Sequence, residues 1–153
     1  TGDLVSEGYP FYAGRLTLSE TVRLRAPRPG ERVVLALPTI DAAALAHAEV
    51  NGARAGTIAC APYEVEITEW MREGENEIAV TLVSTLRNLL GPHHRPEGEP
   101  DACWGTDFTL YPAWTEEEER RETRWTADYV LVRFGVPDGA RIEYVAYEPQ
   151  EGS

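Results

Sequence analysis

The chain contains little cysteine and no long apolar run, and each shortage excludes a class of protein. Its 153 residues include only two cysteines, Cys60 and Cys103, too few for the dense framework of a disulfide-stabilised scaffold. We expect both to be buried free thiols, while a single bridge between them stays open, as does the cellular compartment. No apolar stretch approaches the roughly 20 residues that a membrane-spanning helix needs.

Basic charge is also scarce. The sequence has 26 Asp and Glu against 14 Lys and Arg, which gives a formal net charge of −12. Nucleic acids and anionic membranes bind basic surfaces, so we expect neither as a partner. A neutral sugar, a cation or a basic protein stays compatible with this charge, and solubility alone also accounts for it.

The motifs that carry much of enzyme chemistry are absent. There is no Gly-x-Ser-x-Gly, no phosphate-binding glycine loop, no Cys-x-x-Cys and no His-Glu-x-x-His. No two of the 26 carboxylates stand out as the acid and base of a glycosidase, although counting alone leaves such a pair open. We therefore expect a chain that is not itself catalytic, and we assign no catalytic residues and no metal ligands.

The length and composition indicate one packed domain. A chain of 153 residues, 42% of them hydrophobic, can bury roughly 70% of its unfolded surface without staples. We expect a single domain over residues 1–153, with residues 1–8 as a frayed polar tail and residues 149–153 flexible. Because the chain starts at Thr1 and holds one methionine, Met71, we expect it to be a piece of a longer protein.

Alternation of apolar and polar residues predicts a series of short strands. The predicted strands lie at residues 16–24, 33–37, 78–82, 108–111, 125–134 and 142–147. Asn51-Gly52 between apolar runs predicts a type I′ hairpin. Residues 41–48 are compatible with a capped helix or a strand, and we favour a strand from about residue 45 because the hairpin needs one to enter it.

Two short helical turns interrupt this β pattern. Thr68 predicts a cap for a turn over residues 69–73, which Gly74 would end. Thr85 predicts a cap for a second turn over residues 86–90, which Gly91 would end. With about eight strands and few helical residues, the pattern favours a two-sheet antiparallel sandwich over an α/β fold.

Four segments resemble a known family. They are Val50-Asn51-Gly52, Gly74-Glu75-Asn76, Gly8-Tyr9-Pro10-Phe11-Tyr12-Ala13-Gly14 and Asn88-Leu89-Leu90-Gly91-Pro92-His93-His94. Together they resemble the jelly-roll sugar-binding domains of modular glycoside hydrolases, the galactose-binding-like fold, over roughly residues 8–148. The resemblance implies an all-β jelly-roll sandwich and a non-catalytic accessory domain at the C-terminal end of a glycoside-hydrolase-like protein.

The resemblance also implies the partners. Such a domain would bind carbohydrate, pack against the catalytic domain of the same polypeptide, or both. Domains of this fold often hold a structural calcium ion, which the acidic surplus allows, although the chain has no Asp-x-Asp-x-Gly loop. We expect no other cofactor.

Six residues form the predicted carbohydrate site or domain interface. The reason for choosing them is that sugar rings stack on tryptophan, while imidazole, guanidinium and amide groups hydrogen-bond sugar hydroxyls. They are Arg87, Asn88, His93, His94, Trp104 and Trp114. We expect Trp70, Tyr111 and Trp125 to pack in or under the core instead.

The adjacent histidines, His93 and His94, have three interpretations. In the first, one histidine braces the loop while the other is solvated. In the second, both contact a sugar or a neighbouring domain. In the third, both bind a metal together with a remote carboxylate. The last interpretation describes a metal-dependent enzyme. A further alternative is a structural or protein-interaction module without a ligand, which predicts an exposed apolar patch around Leu89 and Leu90.

Overall fold

A computed structural model describes residues 2–41, 43–91, 93–94 and 127–146 and shows seven strands and one short helix. In chain order these are β1 (Arg15–Leu24), β2 (Glu31–Ala36), β3 (Ala43–Val50), β4 (Ala53–Ile58), β5 (Glu64–Glu66), β6 (Gly74–Ser84), α1 (Arg87–Leu90) and β7 (Arg141–Ala146). Within the described ranges, no helix has the length and apolar content to cross a membrane.

The strands form two antiparallel sheets. One has the order β1-β6-β3-β4 and the other the order β5-β2-β7. The side chains between the sheets form the core, and the largest fully buried ones include Leu35, Leu37, Ile58, Ile67 and Leu82. The predicted fold class, an all-β antiparallel sandwich, is confirmed.

The hairpin between β3 and β4 has the predicted geometry. Asn51 has φ of 53° and Gly52 has φ of 79°, and positive values at both central residues define a type I′ turn. Residues 43–50 are a strand that pairs with both β4 and β6. The helical alternative fails because Ala46, Ala48 and Val50 are all fully buried at period two.

A buried asparagine joins this hairpin to the start of β6. Asn76 is 0% exposed. Its Oδ1 accepts hydrogen bonds from the Arg72 amide at 2.8 Å and from Asn51 Nδ2 at 3.0 Å. Its Nδ2 donates to the carbonyls of Arg72 at 2.7 Å and Gly74 at 3.0 Å. All its hydrogen-bonding positions are used, so Asn76 fixes the connection between β5 and β6 against the β3–β4 turn.

The first residues are not a frayed tail. Leu4 is 3% exposed and belongs to the core cluster. Its N–H donates to the carbonyl of Phe134 at 2.8 Å, and Asp3 forms a bridge with Gly135. The expectation for residues 1–8 is therefore wrong for residues 2–8, because Leu4 and Val5 pack on the core and Asp3 bonds the backbone at Phe134 and Gly135.

The predicted strand at residues 125–134 is also wrong where the structure describes it. Residues 127–134 are not assigned to a strand. The Val130 amide donates to the carbonyl of His93 at 2.6 Å, and both backbone groups of Val132 bond the Asn88 side chain. The apolar alternation was real, but the backbone found partners in a loop and a side chain rather than in a neighbouring strand.

Two smaller expectations also need correction. Thr68 does not cap a helical turn: its Oγ1 accepts the N–H of Val33 in β2 at 2.8 Å, while Trp70 and Met71 donate to the Ile67 carbonyl. Cys60 is exposed rather than buried, because it lies in the turn after β4.

Several predicted features lie outside the described residues. They are Cys103, Trp104, Trp114, Tyr111, Trp125, the strand at 108–111 and the flexible end at 149–153.

An ion pair closes the turn between β1 and β2. Arg25 Nη1 lies 2.6 Å from Glu31 Oε2, and the guanidinium stacks 3.8 Å from the centre of the Tyr144 ring in β7. The hydrogen bond from Arg25, helped by the Arg28 amide, lowers the pKa of Glu31 below its ordinary value. A group with a lowered folded-state pKa stabilises the fold above its unfolded pKa and loses that effect as the pH falls through the folded value.

Replacing Glu31 by Gln is therefore expected to flatten the acid side of the stability profile. The wild-type protein loses the stability contributed by Glu31 as the pH falls below about 4.3, the ordinary pKa of a glutamate. The Glu31→Gln variant lacks this loss because glutamine does not titrate. Melting temperatures measured across the acid range test this, with the exposed Glu143→Gln in β7 as control. Identical acid slopes for wild type and Glu31→Gln would contradict it.

Replacing Asn76 by Ala is expected to destabilise the fold by about 2–4 kcal/mol, because several buried polar groups lose their partner. Urea denaturation measures the change, and the exposed neighbour Glu75→Ala is the control. A loss no larger than that of Glu75→Ala would show that the buried amide is not needed.

Candidate functional site

The candidate site begins at α1, the single helical turn after β6. Gly91 ends it with φ of 85°, and its N–H donates to the Arg87 carbonyl at 3.0 Å. The N-cap is Leu86, whereas Thr85 Oγ1 lies 3.4 Å from the Arg87 amide. The predicted turn is therefore present, with Thr85 contributing one long hydrogen bond.

Asn88 connects this turn to the segment before Phe134. It is 5% exposed, although its neighbours on α1 are far more open. Its Nδ2 donates to the Val132 carbonyl at 2.7 Å, and its Oδ1 accepts the Val132 N–H at 2.9 Å. One side-chain amide thus replaces the two hydrogen bonds that an adjacent strand would supply to Val132. Residues 127–134 are held against α1 by this Asn88–Val132 pair.

A tight turn then folds His93 back onto α1. A Cβ at Gly91 would lie 3.0 Å from the His93 amide nitrogen and 3.4 Å from its ring, so only glycine fits at positive φ there. His93 Nε2 lies 2.8 Å from the Asn88 carbonyl oxygen. Since a carbonyl only accepts, Nε2 carries the proton of this hydrogen bond.

Four rings gather beside this turn, and we call them the aromatic patch: Phe11, His93, His94 and Tyr129. The Phe11 ring contacts those of His93 and Tyr129 edge-on, with centroids 5.7 and 5.3 Å apart. The Tyr129 ring also contacts His93 at 5.6 Å and His94 at 5.0 Å. Both histidines therefore lie against one tyrosine. Phe11 is 42% exposed and Tyr129 60% exposed.

Three leucines of the same turn are open to solvent. Leu86 is 57%, Leu89 46% and Leu90 72% exposed. We call these the α1 leucines. An exposed apolar patch around Leu89 and Leu90 is the feature predicted for a structural or protein-interaction module without a ligand.

The structure brings together four of the six predicted site residues. Arg87 and Asn88 lie on α1, with Arg87 half-buried, and His93 and His94 lie in the aromatic patch. Their proposed role in binding stays a prediction. Trp104 and Trp114 lie outside the described residues.

Sequence reasoning missed Phe11 and Tyr129. Phe11 lies in the aromatic segment that carried part of the family resemblance, so that segment was a usable signal. Tyr129 was hidden inside an alternating pattern that indicated a strand, and no local signal shows that it meets the histidines.

The metal interpretation of the histidines gains no support. Among the residues that the structure describes, no group of three or more His, Cys, Asp or Glu side chains could hold a metal ion. In addition, His93 Nε2 is already bonded to the Asn88 carbonyl.

An apolar cleft of about 120 Å³ opens elsewhere, between the sheets beside β1. It is lined mainly by core side chains, among them Leu18, Leu35, Val80 and Ile142, and Glu20 is the carboxylate at its wall. Such a lining lacks the converging polar groups of a typical ligand site. None of its lining residues belongs to the aromatic patch.

Comparison with solved structures finds proteins that resemble this chain. The structure of a rhamnosidase from Novosphingobium sp. PP1Y matches 92% of this chain with a TM-score of 0.58 and 23% identity, and the match covers 12% of the rhamnosidase. A β-D-glucuronidase from Dictyoglomus thermophilum matches 97% of this chain with a TM-score of 0.48 and 18% identity, over 23% of that enzyme. No protein-family model and no curated protein matches the chain. The first likeness establishes a shared fold, and the chain spans about an eighth of that enzyme's length.

Replacing Asn88 by Ala is expected to destabilise the fold by about 2–4 kcal/mol. The N–H and C=O groups of Val132 would both lose their hydrogen-bond partner at a buried position. Urea denaturation measures the loss. The control is Leu89→Ala on the same helical turn, whose side chain is largely exposed and whose loss should be small. Equal effects of the two substitutions would contradict the assigned role of Asn88.

Proposed function

We propose that the chain is a non-catalytic accessory domain of a larger glycoside-hydrolase-like protein, and that it packs against the catalytic domain of that polypeptide. The observation that carries the proposal is the surface formed by the aromatic patch and the α1 leucines. Support for the enzyme class comes from the shared fold, since the matched rhamnosidase contains a comparable sandwich as a small part of a long chain.

The composition of this surface supports packing. Aromatic side chains are enriched in protein interfaces, and charged residues are depleted at their centres. Leu90 and Tyr129, at 72% and 60% exposed, leave large apolar areas in water unless something covers them. Burying apolar area contributes about 25 cal/mol per Å², so covering these side chains would favour association.

The hydrogen bonds beneath the aromatic patch hold its backbone in place before any partner binds. The Asn88–Val132 pair, the His93–Asn88 hydrogen bond and the Gly91 turn fix the backbone beneath the rings. A surface that is ordered before binding loses less conformational entropy when the partner arrives.

Carbohydrate binding at the same patch is the second candidate. The exposed faces of Phe11 and Tyr129 could stack on a sugar ring, and His94 lies beside Tyr129 as a hydrogen-bonding group. The remaining alternative is a structural or protein-interaction module without a ligand.

Hydroxyl-radical footprinting tests the packing proposal. The isolated chain is compared with the polypeptide encoded by its full gene. We expect oxidation of Phe11, Tyr129 and Leu90 to fall several-fold in the full polypeptide, because a neighbouring domain covers them. Met71, which lies before β6 at the end of the sandwich opposite α1, is the control and should be oxidised equally in both.

Equal oxidation of the patch in both forms, or a gene that encodes no catalytic domain, would overturn the packing proposal. Calorimetric titration with rhamnosides and a glycan array then tests the second candidate. Carbohydrate binding is supported if the Tyr129→Ala variant loses binding and the Thr21→Ala variant keeps it. Thr21 is the control because it is exposed and lies toward the C-terminal end of β1, away from the aromatic patch. Absence of binding in the wild type rules it out for the sugars tested.

A further inference from the structure

A polar cluster lies on the outer face of the four-stranded sheet, away from the aromatic patch. The strand register places Thr17, Thr81, His47 and Thr57 in one row that crosses β1, β6, β3 and β4. The neighbouring residues on β3, Ala46 and Ala48, are fully buried, so the row faces outward.

A β-bulge adds Arg54 to this row. The register shifts between Ala48, opposite Gly56, and Glu49, opposite Arg54, so that Ala55 is the extra residue. In a regular strand, residues three apart point to opposite faces, whereas here Arg54 Nη2 donates to Thr57 Oγ1 at 2.8 Å. Bulges often re-aim a side chain beside a functional site.

The inner side of β4 maintains this bulge. Ala55 packs against the core, and Gly56 follows it facing Val65 of β5, where a Cβ would lie 2.5 Å from Val65 Cγ2. A larger residue at position 56 would push β4 away from β5. Glycine at this position therefore lets β4 lie close to the other sheet while Arg54 and Thr57 share the outer face.

Hydrogen bonds fix the form of His47. Arg54 Nη2 lies 3.0 Å from His47 Nδ1, and Thr57 Oγ1 lies 3.1 Å from the same nitrogen. Arginine only donates, so Nδ1 accepts and the proton of the neutral ring is on Nε2. Thr81 is opposite His47 in the β3–β6 register, and its hydroxyl oxygen lies 2.8 Å from that of Thr17 on β1.

The Arg54 guanidinium hydrogen-bonds two neutral side chains, His47 and Thr57. Within the described part of the chain Arg54 forms no ion pair, whereas Arg25 and Arg133 each do. Glu49 is opposite Arg54 in the register, yet the two form no ion pair there. In a chain with a net charge of −12, an arginine held by a threonine and a histidine is available to an external anion.

We infer that this face binds a carboxylate-bearing sugar, a uronate. The guanidinium of Arg54 retains donors for a carboxylate, which it recognises with charge-assisted hydrogen bonds. The His47 N–H and the threonine hydroxyls supply donors and acceptors for sugar hydroxyls. This site uses none of the residues of the proposed packing surface, so either proposal can fail without the other.

NMR titration of the ¹⁵N-labelled chain with glucuronate tests the site. We expect saturable shifts at His47, Arg54, Thr57 and Thr81, weaker binding at high salt, and little response to glucose. Arg54→Gln is expected to lower the affinity about tenfold or more, since hydrogen bonds to charged groups contribute about 1.5–3 kcal/mol. His47→Gln should lower it by a smaller factor.

The matched control is Arg23→Gln, an exposed arginine near the far end of β1 and opposite Glu75. It removes the same charge and should leave the affinity unchanged. Spectra of each variant show whether the fold is kept. Absence of saturable shifts in the wild type, equal losses in Arg23→Gln and Arg54→Gln, or an equal response to acetate and glucuronate would each overturn the uronate site.

Discussion

The arrangement at the α1 end of the sandwich depends on one requirement: residues 127–134 need partners for their backbone groups without forming a strand. Buried N–H and C=O groups that lack hydrogen bonds are costly. Asn88 satisfies Val132, the His93 carbonyl satisfies Val130, and the Leu4 amide satisfies Phe134. Three segments that are distant in sequence are thereby joined, and the rings they carry meet as a consequence.

Glycine is essential to the same arrangement at two points. Gly91 lets the chain turn back so that His93 reaches the Asn88 carbonyl. Gly135 forms bridges with both Asp3 and Asp41, and a Cβ there would lie 2.3 Å from the Gly2 carbonyl oxygen. A side chain at residue 135 would therefore separate the first segment from the core. The aromatic patch therefore depends on the close backbone contacts at Gly91 and Gly135 as well as on its own side chains.

Much of the sandwich could be predicted because local patterns and the final contacts agree. Asn51-Gly52 forms the hairpin it indicates, and the period-two residues of β1 and β6 face the core. Predictions failed where a distant contact decides the outcome. The apolar alternation around Val132 indicates a strand only if a strand lies beside it, and Thr68 bonds Val33, which is 35 residues away.

The candidate site shows the same division. Sequence reasoning selected Asn88, His93 and His94 because they lie in a segment that resembles the family and because their side chains can hydrogen-bond sugar hydroxyls. It could not assign Asn88 a buried role, since nothing nearby in sequence identifies Val132 as its partner. Likewise, the bulge that turns Arg54 toward His47 depends on pairing between strands and on the space beside Val65. The placement of these side chains therefore depends on the folded register and not on local sequence alone.

The pairing of Asn88 with Val132 can be measured directly by NMR of the unmodified chain. The account predicts slow hydrogen exchange of the Val132 amide and the Asn88 side-chain amide, with a nuclear Overhauser effect between them. It is contradicted if the Val132 amide exchanges as fast as that of an unstructured residue and the Asn88 side chain shows no contact with it.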